Sequence, residues 1–68
     1  MKWEAMRFDG DPKNIRNLMN WGGERLSLML GSKMPCIVVD TPDGVDYALA
    51  SDLIIKNSNG DFYVCKLQ

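Results

Sequence analysis

The sequence predicts an α+β fold: a small curled antiparallel sheet of five to six short strands, in the order β-α-β-β-β-β-β, with one helix packed on it. Three observations carry this reading. Only residues 12–21 show helical periodicity, the runs on either side are strand-like, and the later runs are separated by turn clusters of hairpin length. At 68 residues, with 46% apolar and 25% charged side chains, the chain reads as one ordinary globular unit spanning 1–68.

The elements follow in order. Residues 3–8, Trp-Glu-Ala-Met-Arg-Phe, form a first strand. Its two faces are Trp3 with Ala5 and Met6 with Phe8, and both are expected to be covered. Asp9-Gly10-Asp11-Pro12 stops the strand and starts the helix. Asp11 can cap orphan amides, and Pro12 fits the first helical position, where its missing N–H costs nothing. Ile15, Leu18 and Met19 make one apolar stripe, opposite Lys13, Arg16, Asn17 and Asn20. Gly22-Gly23 ends the helix, one of the pair in the left-handed cap conformation.

The remaining runs are strands. Residues 25–30 alternate, with Leu26, Leu28 and Leu30 on one side and Arg25, Ser27 and Met29 on the other. Gly31-Ser32 breaks this run, and Pro35 introduces Cys36-Ile37-Val38-Val39. Thr41-Pro42-Asp43-Gly44 is a turn, because proline pre-sets φ and glycine tolerates positive values. Val45, Tyr47 and Leu49 then alternate with Asp46, Ala48 and Ala50. After a corner at Ser51-Asp52, residues 53–56 and 61–66 form a second hairpin around Asn57-Ser58-Asn59-Gly60. The N-terminal strand must also pair, and a place beside a C-terminal strand would close the sheet toward a barrel.

Composition removes several function classes. No histidine means no ordinary neutral-pH general base, and no Ser-His-Asp or Cys-His nucleophile. Two cysteines, Cys36 and Cys65, lack CxxC spacing and cannot alone supply a four-ligand zinc site. They read as reduced, buried thiols of a cytoplasmic protein, since no secretion signal opens the chain, with a disulfide or a reactive thiol as the alternatives. The reading is therefore a non-enzyme with no cofactor. A net charge of −1 gives no reason to favour nucleic acid. The longest apolar-looking stretch, 26–39, is too broken to span a bilayer, so no membrane partner is expected.

Two segments carry a family resemblance. Trp3-Glu-Ala-Met-Arg-Phe-Asp-Gly-Asp11 resembles the opening of a family of short, uncharacterised bacteriophage and prophage proteins. Ala50-Ser-Asp-Leu-Ile-Ile-Lys-Asn-Ser-Asn-Gly-Asp-Phe-Tyr-Val-Cys-Lys66 resembles its closing signature, an aspartate leading an Ile-Ile-Lys strand, a turn, and an acidic-Phe-Tyr strand ending at Cys-Lys. This chain departs from the family pattern at Ser51, where glycine is usual, at Leu53, where an aromatic is usual, and at Val64, where proline is usual. The family also continues past Cys-Lys with an acidic-aromatic tail, whereas this chain stops at Gln68. The resemblance implies phage origin and a host bacterial cytoplasm. It transfers no functional residue.

Candidate constellations are few. Asp40, Asp43 and Asp46 recur around a turn, where aspartates are ordinary, and read as structural rather than as a cation site. Lys13, Arg16 and Asn20 form a polar helix stripe that could meet an acidic partner. Trp21, beside the Gly-Gly break, is the aromatic expected to be partly exposed, and tryptophan is enriched at hot spots. Met29 projects opposite the leucine face; if Cys36 or Val38 shares its side, that face suits a partner or a second copy. The methionines, Met1 included, otherwise read as core. The candidate partner-binding residues are thus Trp21, Lys13, Arg16, Asn20 and Met29, and a homodimer is expected.

The functional expectation is a phage-encoded accessory protein that binds and modulates a host protein. One alternative is a nucleotide-binding sponge at an oligomer interface, with aromatics for stacking and Lys13, Arg16, Arg25 or Lys33 for phosphate. Another is a minor virion or assembly component. With nearly every residue assigned to one helix or a short strand, binding must use the outside of the sheet and helix.

Overall fold

The computed structural model describes residues 2–31 and 34–66. Met1, Ser32, Lys33, Leu67 and Gln68 lie outside the described residues, so the Ser32 strand break and the Lys33 phosphate contact do too. The order is β1 (Glu4–Arg7), α1 (Pro12–Gly22), a 3-10 turn (Gly23–Arg25), β2 (Leu26–Leu30), β3 (Pro35–Thr41), β4 (Gly44–Ala48), β5 (Leu53–Lys56) and β6 (Phe62–Cys65). One helix and six strands thus make the expected α+β fold.

The strands are divided between two antiparallel three-stranded sheets, β1-β5-β6 and β2-β3-β4. β1 pairs with β5, from Glu4 opposite Lys56 to Arg7 opposite Leu53, so the N-terminal strand does close against the C-terminal hairpin. β6 packs beside β3 and β4 without a ladder to either, and the sheets stay separate instead of joining as one.

The chain changes sheet at residues 49–52, and its hydrogen bonds show how. Asp52 N–H donates to Leu49 C=O at 3.0 Å, and Leu49 N–H donates to the Asp52 carboxylate at 2.9 Å. Phe8 N–H donates to Asp52 C=O at 3.0 Å, while Ser51 N–H donates to Phe8 C=O at 2.7 Å. Lys66 Nζ bonds the same carboxylate at 3.1 Å. Asp52, itself buried, therefore holds the end of β1, the corner after β4 and the residue after β6 together. Ser51 pays for the corner with φ +78, a conformation that L side chains rarely adopt.

Helix α1 starts as its sequence directs. The Asp11 carboxylate accepts from Lys13 N–H at 3.1 Å, and Pro12 is the first helical residue. Asn14 ties this start to β1, its amide donating to Arg7 C=O at 2.7 Å. At the other end the two glycines divide two tasks. Gly23 takes the positive φ of +58, and its N–H donates to Met19 C=O. Its ψ of −127 is outside the left-handed helical region that the sequence suggested. Gly22 supplies space: a Cβ there would lie 2.2 Å from Leu26 Cγ, so only glycine lets β2 start directly under the helix.

The core lies between the sheets and α1. Phe8, Leu18, Leu26, Ile37, Val39, Ala48, Ile54 and Phe62 are buried in it, with Met6, Ile15, Met19, Trp21 and Val64 packed around them. Met6 and Phe8 supply the inner face of the first strand. Its other face is open, with Trp3 58% exposed and Ala5 exposed. The expectation that both faces are covered therefore fails, since nothing among the described residues covers Trp3 and Ala5.

Candidate functional site

The outer face of β2-β3-β4 is the site that stands out. Register puts Met29 opposite Cys36, Ser27 opposite Val38, Val38 opposite Tyr47, and Asp40 opposite Val45. Residues paired across antiparallel strands share a face, so Met29, Cys36, Val38, Val45 and Tyr47 lie on one side of the sheet. Leu49 continues the alternation just past β4. The opposite side holds Leu26, Ile37, Val39 and Ala48, all buried in the core.

This arrangement inverts the usual pattern of β4. A half-buried strand normally turns its large apolar side chains inward and its small or polar ones to water. Here Ala48 faces the core, and Val45, Tyr47 and Leu49 are each about half exposed. Met29 is also 44% exposed. The outer face is therefore apolar across its width, interrupted by Ser27 and edged by Asp40. Cys36 is buried although it belongs to this face, lying between Met29 on one neighbouring strand and the Leu49 position on the other. It is a free thiol, as is the half-buried Cys65.

The residues singled out from sequence do not gather at one place. Met29 belongs to the outer face. Lys13, Arg16, Asn17 and Asn20 lie exposed on α1. Trp21 is half-buried and engaged twice: its ring meets Phe62 edge-on at 5.2 Å between centroids, and its indole N–H donates to Glu4 Oε1 at 2.8 Å. It thus ties α1 to both β6 and β1. The more exposed aromatics are Trp3 and Tyr47. Tyr47, Val45 and Leu49 are the site residues that sequence reasoning missed. Their signal was an alternating apolar row opposite Asp46, Ala48 and Ala50, and alternation does not say which row faces in.

Asp40, Asp43 and Asp46 do not converge. Asp40 and Asp46 fall on opposite faces of the hairpin, and Asp46 Oδ1 accepts from Tyr47 N–H at 2.8 Å. Among the described residues no three His, Cys, Asp or Glu side chains are grouped to hold a metal ion. An open groove of about 460 Å³ lies elsewhere, lined by Lys2, Glu4, Lys56 and the Asn57–Gly60 turn. Lys56 sits over the Phe62 ring, its Nζ 5.6 Å from the centroid. The lysines there are not those the sequence suggested for phosphate, and among the described residues no aromatic lines the groove.

No protein family, curated protein or solved structure matches this chain. Among the described residues, no helix is long and apolar enough to cross a membrane.

Proposed function

We propose that this is a phage-encoded, non-enzymatic accessory protein of the host bacterial cytoplasm that docks on a host protein and modulates it. The observation that carries the binding reading is the apolar outer face of β2-β3-β4, with Val45, Tyr47 and Leu49 turned to water while Ala48 faces the core. Exposed apolar surface of this kind marks interaction sites on soluble proteins. The phage and host assignment rests on the resemblance of residues 3–11 and 50–66. The absence of histidine supports a non-catalytic role.

The face calls for a partner with an apolar, weakly charged contact surface. Tyrosine suits its centre, giving a large rigid contact with a polar tip. The exposed Lys13, Arg16 and Asn20 on α1 supply a separate polar surface for an acidic neighbour.

The test is affinity capture from host lysate with three tagged baits: wild type, Tyr47→Lys, and Lys13→Glu/Arg16→Glu. The expected result is a host protein retained by wild type and the helix variant but lost with Tyr47→Lys, whose circular dichroism stays unchanged. Capture lost only with the helix variant would move the site to α1. Wild-type bait that recovers nothing but itself would remove the host-partner reading.

A second reading, a nucleotide-binding sponge, draws on the groove that places Lys2 and Lys56 near the Asn57–Gly60 turn. Thermal shift with a nucleotide panel separates it, since ligand at 100-fold its Kd stabilises by about 2.7 kcal/mol. A third, a minor virion or assembly component, would show as copurification with phage particles.

A further inference from the structure

We propose that two copies of this protein pair edge to edge through β2, making one continuous sheet of twice the width around a two-fold axis. Two three-stranded sheets leave four edges, β1, β6, β2 and β4. β1 carries Glu4 and Arg7. At β4, Asp46 lies within the strand and Lys66 Nζ bonds the Tyr47 carbonyl. β6 is flanked by Asp61 and Lys66 and packs beside β3 and β4. Charges and cover of this kind are how sheet edges avoid joining one another. β2 itself, Leu-Ser-Leu-Met-Leu, holds no charge or proline; Arg25 precedes it and α1 covers its Leu26 end, but no charge lies within the strand. Among the described residues its one ladder partner is β3, and no loop or side chain bonds its other edge.

Cover on its inner face fades along the strand. Leu26 is 3% exposed, Leu28 39% and Leu30 77%, a gradient along one face as the strand runs past the core. A second β2, antiparallel and centred on Leu28, would set Leu28 against Leu28, Leu26 against Leu30, and Ser27 against Met29 of the other copy. All six leucines then share one face, and the buried end of each strand shields the bare end of the other. Each chain carries a net charge of only −1, so little repulsion opposes the approach.

Area sets the expected strength. Leu28, Leu30 and Met34 are 39%, 77% and 59% exposed, and with the strand backbone and its flanks the contact covers about 600 Å² per copy, the low end for a specific interface. The dimer should therefore dissociate on dilution. It also brings the two outer faces into one surface. One outer face offers on the order of 400 Å² of apolar surface, and two together approach the ~800 Å² that a stable partner contact uses. That last consequence rests on the partner reading above; the dimer does not.

The experiment is sedimentation velocity across a concentration series on wild type, Leu28→Lys, Leu28→Glu and an equimolar mixture of the two variants. Wild type should double its mass at high concentration. Each variant, with like charges at the two-fold axis, should stay at monomer mass, and the mixture should recover the dimer. Wild type monomeric throughout, or both single variants dimeric as wild type is, would overturn the proposal. Amide hydrogen exchange on wild type covers the case in which the variants fail to fold. Protection of residues 26–30 should rise with protein concentration, and a dimer whose β2 protection does not change with concentration places the interface elsewhere and sinks the proposal.

Discussion

Single residues decide how this chain closes. Gly22 is the clearest, because its missing Cβ is the space that Leu26 occupies at the start of β2. Gly22→Ala should cost about 1–3 kcal/mol through overpacking, read as a lower urea midpoint with an unchanged slope. Asp52 is the second. Its carboxylate accepts from Leu49 N–H and Lys66 Nζ, and its backbone bonds both Phe8 and Leu49. Asp52→Ala removes a buried, charge-assisted acceptor and should destabilise by about 2 kcal/mol in the same measurement. Ser51 beside it holds φ +78. A glycine at this position would meet that conformation without strain.

At the scale of elements, α1 and the two hairpins are locally specified, whereas their packing is not. Asp11, Pro12 and the glycine pair bound the helix, and the observed Pro12–Gly22 extends the expected span by one residue. Asp11→Ala should cost about 1 kcal/mol through loss of the cap, measured by thermal or urea unfolding. The turns hold for equally local reasons. Thr41 pairs with Gly44 around Pro42-Asp43, and Asn57 Oδ1 accepts from both Asn59 and Asp61 N–H. What local chemistry left open was the facing of β2 and β4. Both alternate cleanly, yet Leu28 and Leu30 run out of core to cover them, and β4 turns its larger apolar row to water. Period-2 alternation gives two faces without labelling them, and only the position of the opposing sheet does so.

The whole molecule presents two kinds of surface. α1 is polar, with Lys13, Arg16 and Asn20 exposed, and the outer face of β2-β3-β4 is apolar. If the sheet face carries the partner, binding should persist when ionic strength rises, whereas binding through the helix stripe should weaken. Capture at low and high salt measures this directly. Pairing through β2 adds a second expectation at this scale: the melting temperature should rise with protein concentration, because association stabilises only the folded chain.

Residue types and spacing alone determined the helix with its cap, the number and order of strands, both tight hairpins and the absence of histidine chemistry. Those features depend on contacts between near neighbours, where each residue's own φ preference or hydrogen-bonding group suffices. The tertiary structure decided the rest: the division into two sheets at Ser51-Asp52, the engagement of Trp21 with Phe62 and Glu4, and the open faces left at Trp3, Tyr47 and Leu30. Each of these depends on which distant segment arrives opposite a given side chain. Asp52 bonds Phe8, just after β1, and Lys66, just after β6, and no local pattern encodes meetings at those separations.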